Sequence, residues 1–306
     1  MNEHPNVSGI LNYGGTTNVD SSAVGHNPVL NLTAPSTEHR PEAGEESGEL
    51  WDVGVITILS VETRAVLLAL GLAKKQVGGL HFYEGDVDAD GTPIKVAAIR
   101  ALGQGQRSTM AAYDNLRRHY DPKVIVLTGI GGGIHHDVQV GDVVVATRVV
   151  YYDLRKETPS GTRHRGEERE SPAEVGHAVN SFFTDHDSAE FSVEDPGGTT
   201  RLMRMRNGPI GSGDAVIADR DAEILEYLAG FNDKILAVDM EAGGLSQACH
   251  EQSAGSGRPQ GWAVIRGISD NAGSDKNDGH HRVASWHAAT ALRKLLPYLR
   301  VHSSTR

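Results

Sequence analysis

Three acidic residues follow apolar runs that are typical of buried strands, and they are the side chains best suited to acid–base chemistry. Glu62 lies in the first turn after the run 53–59, and Glu241 and Asp270 each come directly after another apolar run. Ligands of open α/β sheets bind at the carboxyl ends of the strands, so we expect the three acids to meet in one crevice. Carboxylates gathered in this way can transfer protons and stabilise positive charge. One such acid alone would more often cap a helix.

Two glycine-rich segments are candidates for close contact with a ligand. The run 129–133 follows the strand pattern 124–128, and its glycines let the backbone turn tightly and approach a ligand. This run leads into another strand pattern rather than a helix, which speaks against a dinucleotide-binding fingerprint. The segment 103–108 follows a strand and opens a helix, so it predicts either an anion site at the helix N-terminus or a plain tight turn.

The elements that must position these residues alternate between strand and helix. Strands are predicted at 53–59, 80–87, 93–101, 124–128, 138–152, 207–212, 235–238 and 262–268, and helices at 60–71, 105–119, 172–184, 221–230, 240–253 and 281–299. This alternation predicts an α/β fold, as a single domain over 51–300 with a mixed, mostly parallel central sheet flanked by helices. Residues 1–50 are predicted to form a flexible or weakly structured extension. The alternative is a docking segment for a protein partner.

Composition excludes several classes of protein. The formal net charge is -11 and the pI is about 5.7, so we expect no nucleic acid and no anionic membrane as partner. Cys249 is the only cysteine, which excludes an intrachain disulfide. No apolar run approaches the ~20 residues of a membrane span and no signal-peptide pattern is present, so we expect a cytoplasmic protein. The histidine pairs 135–136 and 280–281 fit no zinc-site spacing, so we expect neither a metal nor another cofactor.

Five segments together resemble the nucleoside phosphorylase/nucleosidase superfamily, which includes purine nucleoside phosphorylase and methylthioadenosine/S-adenosylhomocysteine nucleosidase. They occur in the family's order and spacing at 53–62, 128–133 with 140–145, 208–214, 238–241 and 266–270. The resemblance implies a nucleoside phosphorylase-like fold and a homo-oligomer. It also implies cleavage of the N-glycosidic bond of a purine nucleoside or nucleotide, with adenine as the expected base.

The resemblance further implies roles for single residues. Asp270 matches the acid that protonates the purine at N7, Glu241 the acid that binds the ribose hydroxyls, and Glu62 the acid that activates the attacking water. Met240 matches a residue that packs on the sugar. Carboxylates suit these roles because the bond breaks through a cationic, oxocarbenium-like sugar. Further motif residues expected at the substrate are Ser269, Gly129, Ile130 and Gly131.

The chain departs from the family pattern at two places. Leu127 and Ile130 stand where the phosphorylases carry an arginine and a serine that bind phosphate, so we expect water as the nucleophile. Phosphate-dependent phosphorolysis stays open as an alternative, with Arg64 as a candidate anion ligand. Val216 stands where the nucleosidases stack an aromatic residue on the base, so base recognition is expected to be altered or supplied from elsewhere.

A basic stretch bears on the phosphorylation state of the substrate. Arg155 and Lys156, followed by Arg163 and Arg165, resemble a segment of bacterial defence-associated nucleosidases, some of which act on nucleotides. They are candidate phosphate ligands, as is Lys276, and an exposed, salt-bridged loop is the alternative. A third function, that of a non-catalytic nucleotide-binding module of a larger assembly, is disfavoured because all three acids are present.

Overall fold

The protein is described here by a computed structural model over residues 51–89, 91–257, 259–272 and 278–300. The extension predicted at 1–50 and the candidate phosphate ligand Lys276 lie outside these described residues.

The described chain alternates strands and helices, as the apolar patterns predict. In chain order the elements are β1 (Val53–Thr57), α1 (Ser60–Leu70), β2 (Ala73–Val77), β3 (Leu80–Ala89), β4 (Thr92–Arg100), α2 (Gln106–His119), β5 (Val124–Gly133), β6 (Val143–Ala146), β7 (Arg148–Tyr151), β8 (Arg155–Thr158), β9 (Gly161–His164), β10 (Glu167–Glu170), α3 (Ala173–Asp185), β11 (Glu190–Glu194), β12 (Thr200–Asn207), β13 (Ile210–Ser212), α4 (Glu223–Phe231), β14 (Ala237–Asp239), α5 (Ala242–Ser256), β15 (Gly261–Asp270) and α6 (Asp278–Leu299).

Parallel strands form the middle of one large mixed sheet. β1 lies between β4 and β5 and is parallel to both, and β15 is parallel to β5 over most of its length. The hairpin strands β3 and β2 extend the sheet beyond β4 in antiparallel pairing, while β14 and β6 pair antiparallel with β5 and β15. The carboxyl ends of β1, β5 and β15 therefore meet at one edge. The mixed sheet with flanking helices confirms the predicted α/β fold.

Helices cover both faces of the sheet. α1, α3 and α6 bury one face in an apolar cluster that includes Val126 and Leu292, and α2 and α5 bury the other in a cluster that includes Ile125 and Leu245. Because successive strand residues point to opposite faces, a strand buried on both faces reads as an unbroken apolar run. Cys249 is buried on α5, as a structural thiol would be. No helix of the described ranges is long and apolar enough to cross a membrane.

Several parts of the chain differ from the prediction, and β2, β11 and most of β12 were not predicted. The glycine run 129–133 does not turn but continues β5 as an extended strand, and none of its glycines has a positive φ. The strand predicted at 138–152 begins only at Val143, because residues 139–142 form a turn, and it is interrupted at Thr147, which separates β6 from β7. The polar stretch 153–171 contains β8, β9 and β10, which the apolar pattern misses because their charged side chains lie on exposed faces.

Candidate active site

The three predicted acids line one cleft at the carboxyl ends of β1, β5, β14 and β15. The cleft has a cavity volume of about 170 Å³ and opens to solvent. Glu62 and Glu241 are buried in its floor, and Asp270 is partly exposed to it. Further predicted residues that line the cleft are Met240, Ser269, Ile130, Gly131 and Val216.

Glu62 is held by backbone donors from two elements. Its Oε2 accepts hydrogen bonds from the N–H groups of Ile58 (2.8 Å) and Leu59 (2.7 Å), and its Oε1 accepts one from the N–H of Ile130 (2.9 Å). These bonds tie the first turn of α1 to the end of β5. The carboxylate is thus both a helix anchor and a fixed acceptor at the cleft floor.

Gly129 lies behind Glu62, and the absence of a side chain there makes the site possible. A Cβ atom on Gly129 would lie 2.5 Å from Glu62 Oε1 and 2.5 Å from Arg266 Nη1. Such distances are well inside van der Waals contact. The glycine is therefore required for the close approach of two charged side chains to β5, rather than for the tight turn that the sequence predicts.

Glu241 connects the cleft to the start of α2. Its Oε1 accepts a hydrogen bond from the N–H of Gly105 (3.0 Å), and its Oε2 accepts one from Arg266 Nη2 (3.0 Å). The anion at the helix N-terminus that the segment 103–108 predicts is thus supplied by the protein itself, through the carboxylate of Glu241.

Arg266 and Asp239 complete the site and were not identified by sequence reasoning. Arg266 is 1% exposed, and its Nε and Nη2 donate to Asp239 Oδ2 at 2.9 Å and 2.6 Å. Asp239 also accepts hydrogen bonds from the N–H groups of Glu241 (3.2 Å) and Ala242 (3.1 Å), where α5 begins. A signal was available, because a lone arginine inside the apolar run of β15 requires a buried acid as partner.

In this cluster one guanidinium, that of Arg266, interacts with several carboxylates, and these charges shift one another's pKa values. Burial raises the pKa of Glu241; Arg266 opposes this shift, and the charges of Asp239 and Glu62 add to it. Burial alone would lower the pKa of Arg266, but Asp239 and Glu241 more than offset this and raise it, so the guanidinium stays charged. The cleft floor is consequently rich in negative charge, and such a surface stabilises a cationic centre.

Asp270 is oriented by its neighbours in sequence. Its Oδ1 accepts a hydrogen bond from the N–H of Ala272 (2.9 Å), and its Oδ2 accepts one from the hydroxyl of Ser269 (3.0 Å). Ser269 Oγ also lies 3.4 Å from the carbonyl oxygen of Gly131. The carboxyl group is therefore held at the end of β15 with one side open to the cleft.

None of the candidate phosphate ligands among the described residues lines the cleft; these are Arg64, Arg155, Lys156, Arg163 and Arg165. Arg64 lies on the outer side of α1, in a separate groove that it shares with Arg282 and Trp286. Arg155 and Lys156 lie in the two-stranded ribbon of β8 and β9, which starts three residues after the cleft residue Tyr152. Among the described residues, these cations therefore do not share the cleft with Glu62, Glu241 and Asp270.

The two histidine pairs have different surroundings. His135, His136 and Asp137 each bring one potential ligand atom within 4.8 Å of the others, but His135 Nδ1 accepts the backbone N–H of Asp137 (3.2 Å), an ordinary loop contact. His281, on α6, lines the cleft and was not predicted to do so.

Comparisons with known proteins agree with this geometry. The family model described as the Phosphorylase superfamily matches residues 55–298. The 5′-methylthioadenosine/S-adenosylhomocysteine nucleosidase of Mycobacterium tuberculosis is 29% identical over 262 residues, which cover 81% of this chain and 97% of that protein. The ATP nucleosidase Cap17 of Escherichia coli is 24% identical over 254 residues, 77% of this chain, and the chain spans about half (49%) of that relative's length.

Solved structures show the same fold. The 5′-methylthioadenosine/S-adenosylhomocysteine nucleosidase of Neisseria meningitidis, in complex with methylthio-immucillin-A, has a TM-score of 0.60 at 20% identity over 81% of this chain and 99% of that one. The futalosine hydrolase of Helicobacter pylori has a TM-score of 0.61 at 18% identity, over 81% of this chain and 98% of that one.

Proposed function

This chain belongs to the phosphorylase superfamily, and from that premise we propose that it hydrolyses the N-glycosidic bond of a purine nucleoside or nucleotide and releases the free base. The observation that carries the proposal is the convergence of Glu62, Glu241 and Asp270 on one cleft around the buried Arg266. Three acids from distant parts of the sequence, held in fixed positions, are what a reaction through a cationic sugar requires.

Each acid has one task in the proposed reaction. Glu241 accepts hydrogen bonds from the ribose hydroxyls and stabilises the positive charge that develops on the sugar. Asp270 donates its proton to N7 of the base as the C1′–N9 bond breaks, so the bonding electrons leave with a neutral base. A water molecule oriented by Glu62 attacks C1′ and passes a proton to that carboxylate.

The composition of the cleft supports water over phosphate as the nucleophile. No lysine or arginine is among the described residues that line it, and Arg266 lies beneath the floor, engaged by Asp239 and Glu241. Ile130 presents an aliphatic side chain where a phosphate ligand would be needed. A phosphate dianion beside several carboxylates would be repelled, whereas a neutral water is not.

The relatives' names support adenine as the base, since one is an ATP nucleosidase and others act on methylthioadenosine and S-adenosylhomocysteine. We propose an adenine nucleoside or nucleotide as substrate, with the choice between the two left to experiment. We also propose a homo-oligomer, as the resemblance to the superfamily implies. Light scattering of the purified chain tests the oligomer directly.

The experiment that tests the activity is a substrate panel with and without phosphate. The protein is incubated with adenosine, methylthioadenosine, AMP, ATP, inosine and guanosine, and free base is followed by chromatography. Hydrolysis predicts base release that is independent of added phosphate, with Asp270→Asn as the inactive control. Release only in the presence of phosphate would make the chain a phosphorylase. Binding without release would favour the non-catalytic nucleotide-binding module.

A further inference from the structure

Tyr152 carries a buried hydroxyl that has no hydrogen-bond partner within the described chain. The residue follows β7 directly, is 2% exposed and is one of the residues that line the cleft. Its backbone is fixed on both sides, because its N–H donates to the carbonyl of Ser212 (3.1 Å) and its carbonyl lies 3.4 Å from His164 Nδ1. A buried hydroxyl without a partner is unfavourable, and in a native protein it calls for an explanation.

The neighbouring strand leaves room for this side chain. A Cβ atom on Gly213 would lie 2.6 Å from the Tyr152 hydroxyl oxygen and closer still to its ring. The side chain therefore occupies a space that any residue other than glycine at 213 would close. Tyr152 is a built part of the cleft wall.

Tyr152 belongs to an apolar cluster that reaches the neighbourhood of Asp270. The cluster includes Val238 and Ala272, and Ala272 donates the backbone hydrogen bond that orients Asp270. Tyr152 is also the only phenylalanine, tyrosine or tryptophan among the described residues that line the cleft. The position at which the nucleosidases stack an aromatic residue is held by Val216, which is 57% exposed.

The hydroxyl acts as a donor rather than as an anion. Burial raises the pKa of Tyr152 well above its usual range, and the carboxylates of Asp153 and Asp239 add to the shift. The Tyr152 hydroxyl is thus protonated at physiological pH and can donate a hydrogen bond.

We propose that the Tyr152 hydroxyl donates a hydrogen bond to a ring nitrogen of the bound purine and so contributes to binding of the base in this chain. The inference rests on the proposed function, in which N7 is already engaged by Asp270, so N1 and N3 are the remaining ring acceptors. Ile217, which packs against the Tyr152 cluster, belongs to the segment 213–222, which forms neither helix nor strand. In this proposal the segment shifts on substrate entry, which would give the base access to the hydroxyl.

Tyr152→Phe tests the proposal, because it removes one oxygen atom and leaves the ring in place. We expect the melting temperature of the free protein to rise, since an unpaired buried hydroxyl is lost. We expect KM for adenosine to rise about 3- to 10-fold with little change in kcat, the loss of one hydrogen bond. The KM penalty should disappear on either 1-deazaadenosine or 3-deazaadenosine, whichever lacks the accepting nitrogen.

Tyr120→Phe is the matched control. The Tyr120 hydroxyl is paired with Glu84 Oε2 (3.0 Å) away from the cleft, so its loss should lower the melting temperature and leave KM unchanged. A melting temperature that also falls in Tyr152→Phe would mean that its hydroxyl has a structural partner, and the proposal would be wrong. An equal KM penalty on adenosine and both deaza analogues would overturn it as well.

Failure of the proposed function has a different signature. If the unmodified protein releases no base from any nucleoside, the proposed activity is wrong, and the Tyr152 proposal is then decided by binding. Adenosine should raise the melting temperature of the unmodified protein more than that of Tyr152→Phe. Equal shifts, or none in either protein, would contradict it.

Discussion

The guanidinium of Arg266 bridges two carboxylates, with Nη2 lying 2.6 Å from Asp239 Oδ2 and 3.0 Å from Glu241 Oε2. Asp239 also accepts the backbone N–H of Ala242 at the start of α5, the helix that follows Glu241 directly. The position of the Glu241 carboxylate is therefore set by a buried ion pair rather than by the loop that carries it. In the proposed reaction Asp239 acts through Arg266, as a positioning residue.

Asp239→Asn should move the acid limb of the kcat/KM profile to lower pH. Glu241 works in its ionised form, and because its pKa is raised, activity is lost as pH falls through that pKa. The substitution removes a negative charge that raises this pKa and leaves Arg266 to pair more fully with Glu241, so both effects lower it. Breaking a buried pair should also cost about 3–5 kcal/mol of stability, measured by denaturant unfolding.

Asp142→Asn separates the two effects. Asp142 is a buried acid paired with Arg206 (3.2 Å) outside the cleft, so its loss should lower stability and leave the pH profile unmoved. If Asp239→Asn behaves in the same way, Asp239 has a structural role only.

Asp270→Asn should keep the fold and lose most turnover, by about 10²–10⁴-fold, because an amide cannot donate the proton that the leaving base needs. Ser269→Ala removes the hydrogen bond to Asp270 Oδ2 and the longer contact with the carbonyl of Gly131 but keeps the carboxyl group of Asp270, and it should cost far less. Base release under single-turnover conditions measures both losses. A near-normal rate in Asp270→Asn would assign the general acid elsewhere.

Glu241→Gln should lower kcat/KM on adenosine more than on 2′-deoxyadenosine. The amide keeps an oxygen for only one of the two donors, Gly105 or Arg266, and stabilises a cationic sugar less than a carboxylate does. The deoxy substrate has one hydroxyl fewer to lose. Glu226→Gln, at an exposed position of α4, is the control and should change neither rate. Equal losses on both substrates would remove Glu241 from the ribose site.

Gly129→Ala should lower turnover about 10²-fold, since a methyl group 2.5 Å from Glu62 Oε1 and from Arg266 Nη1 displaces both side chains. Overpacking of this kind should also cost about 1–3 kcal/mol of stability. Gly176→Ala, on α3 with open space around it, should instead stabilise the protein by about 0.5–1 kcal/mol and leave activity alone. Turnover and melting temperature should therefore both fall in Gly129→Ala, whereas in Gly176→Ala the melting temperature should rise and turnover should not change. The same changes in both variants would refute the steric argument at Gly129.

The sequence by itself determined the fold and the meeting of the three acids. Buried parallel strands such as β1, β5 and β15 read as unbroken apolar runs, because both of their faces are covered. Their carboxyl ends share one edge of the sheet, so acids that follow them, such as Glu62 and Asp270, must lie near one another. Charged, exposed strands such as β8 and β9 carry no such pattern and escaped prediction.

Only the tertiary structure decided which side chains contact and position the acids. The partners of Arg266 are 27 and 25 positions away, and the glycine whose missing side chain admits Glu62 is 67 positions away, so no local pattern links them. Sequence proximity is misleading for the same reason: Glu62 and Arg64 are two residues apart on one helix, but they line different grooves. Periodicity records whether a side chain is buried, but its neighbours depend on how the elements pack, and packing made Asp239 and Tyr152 part of the cleft.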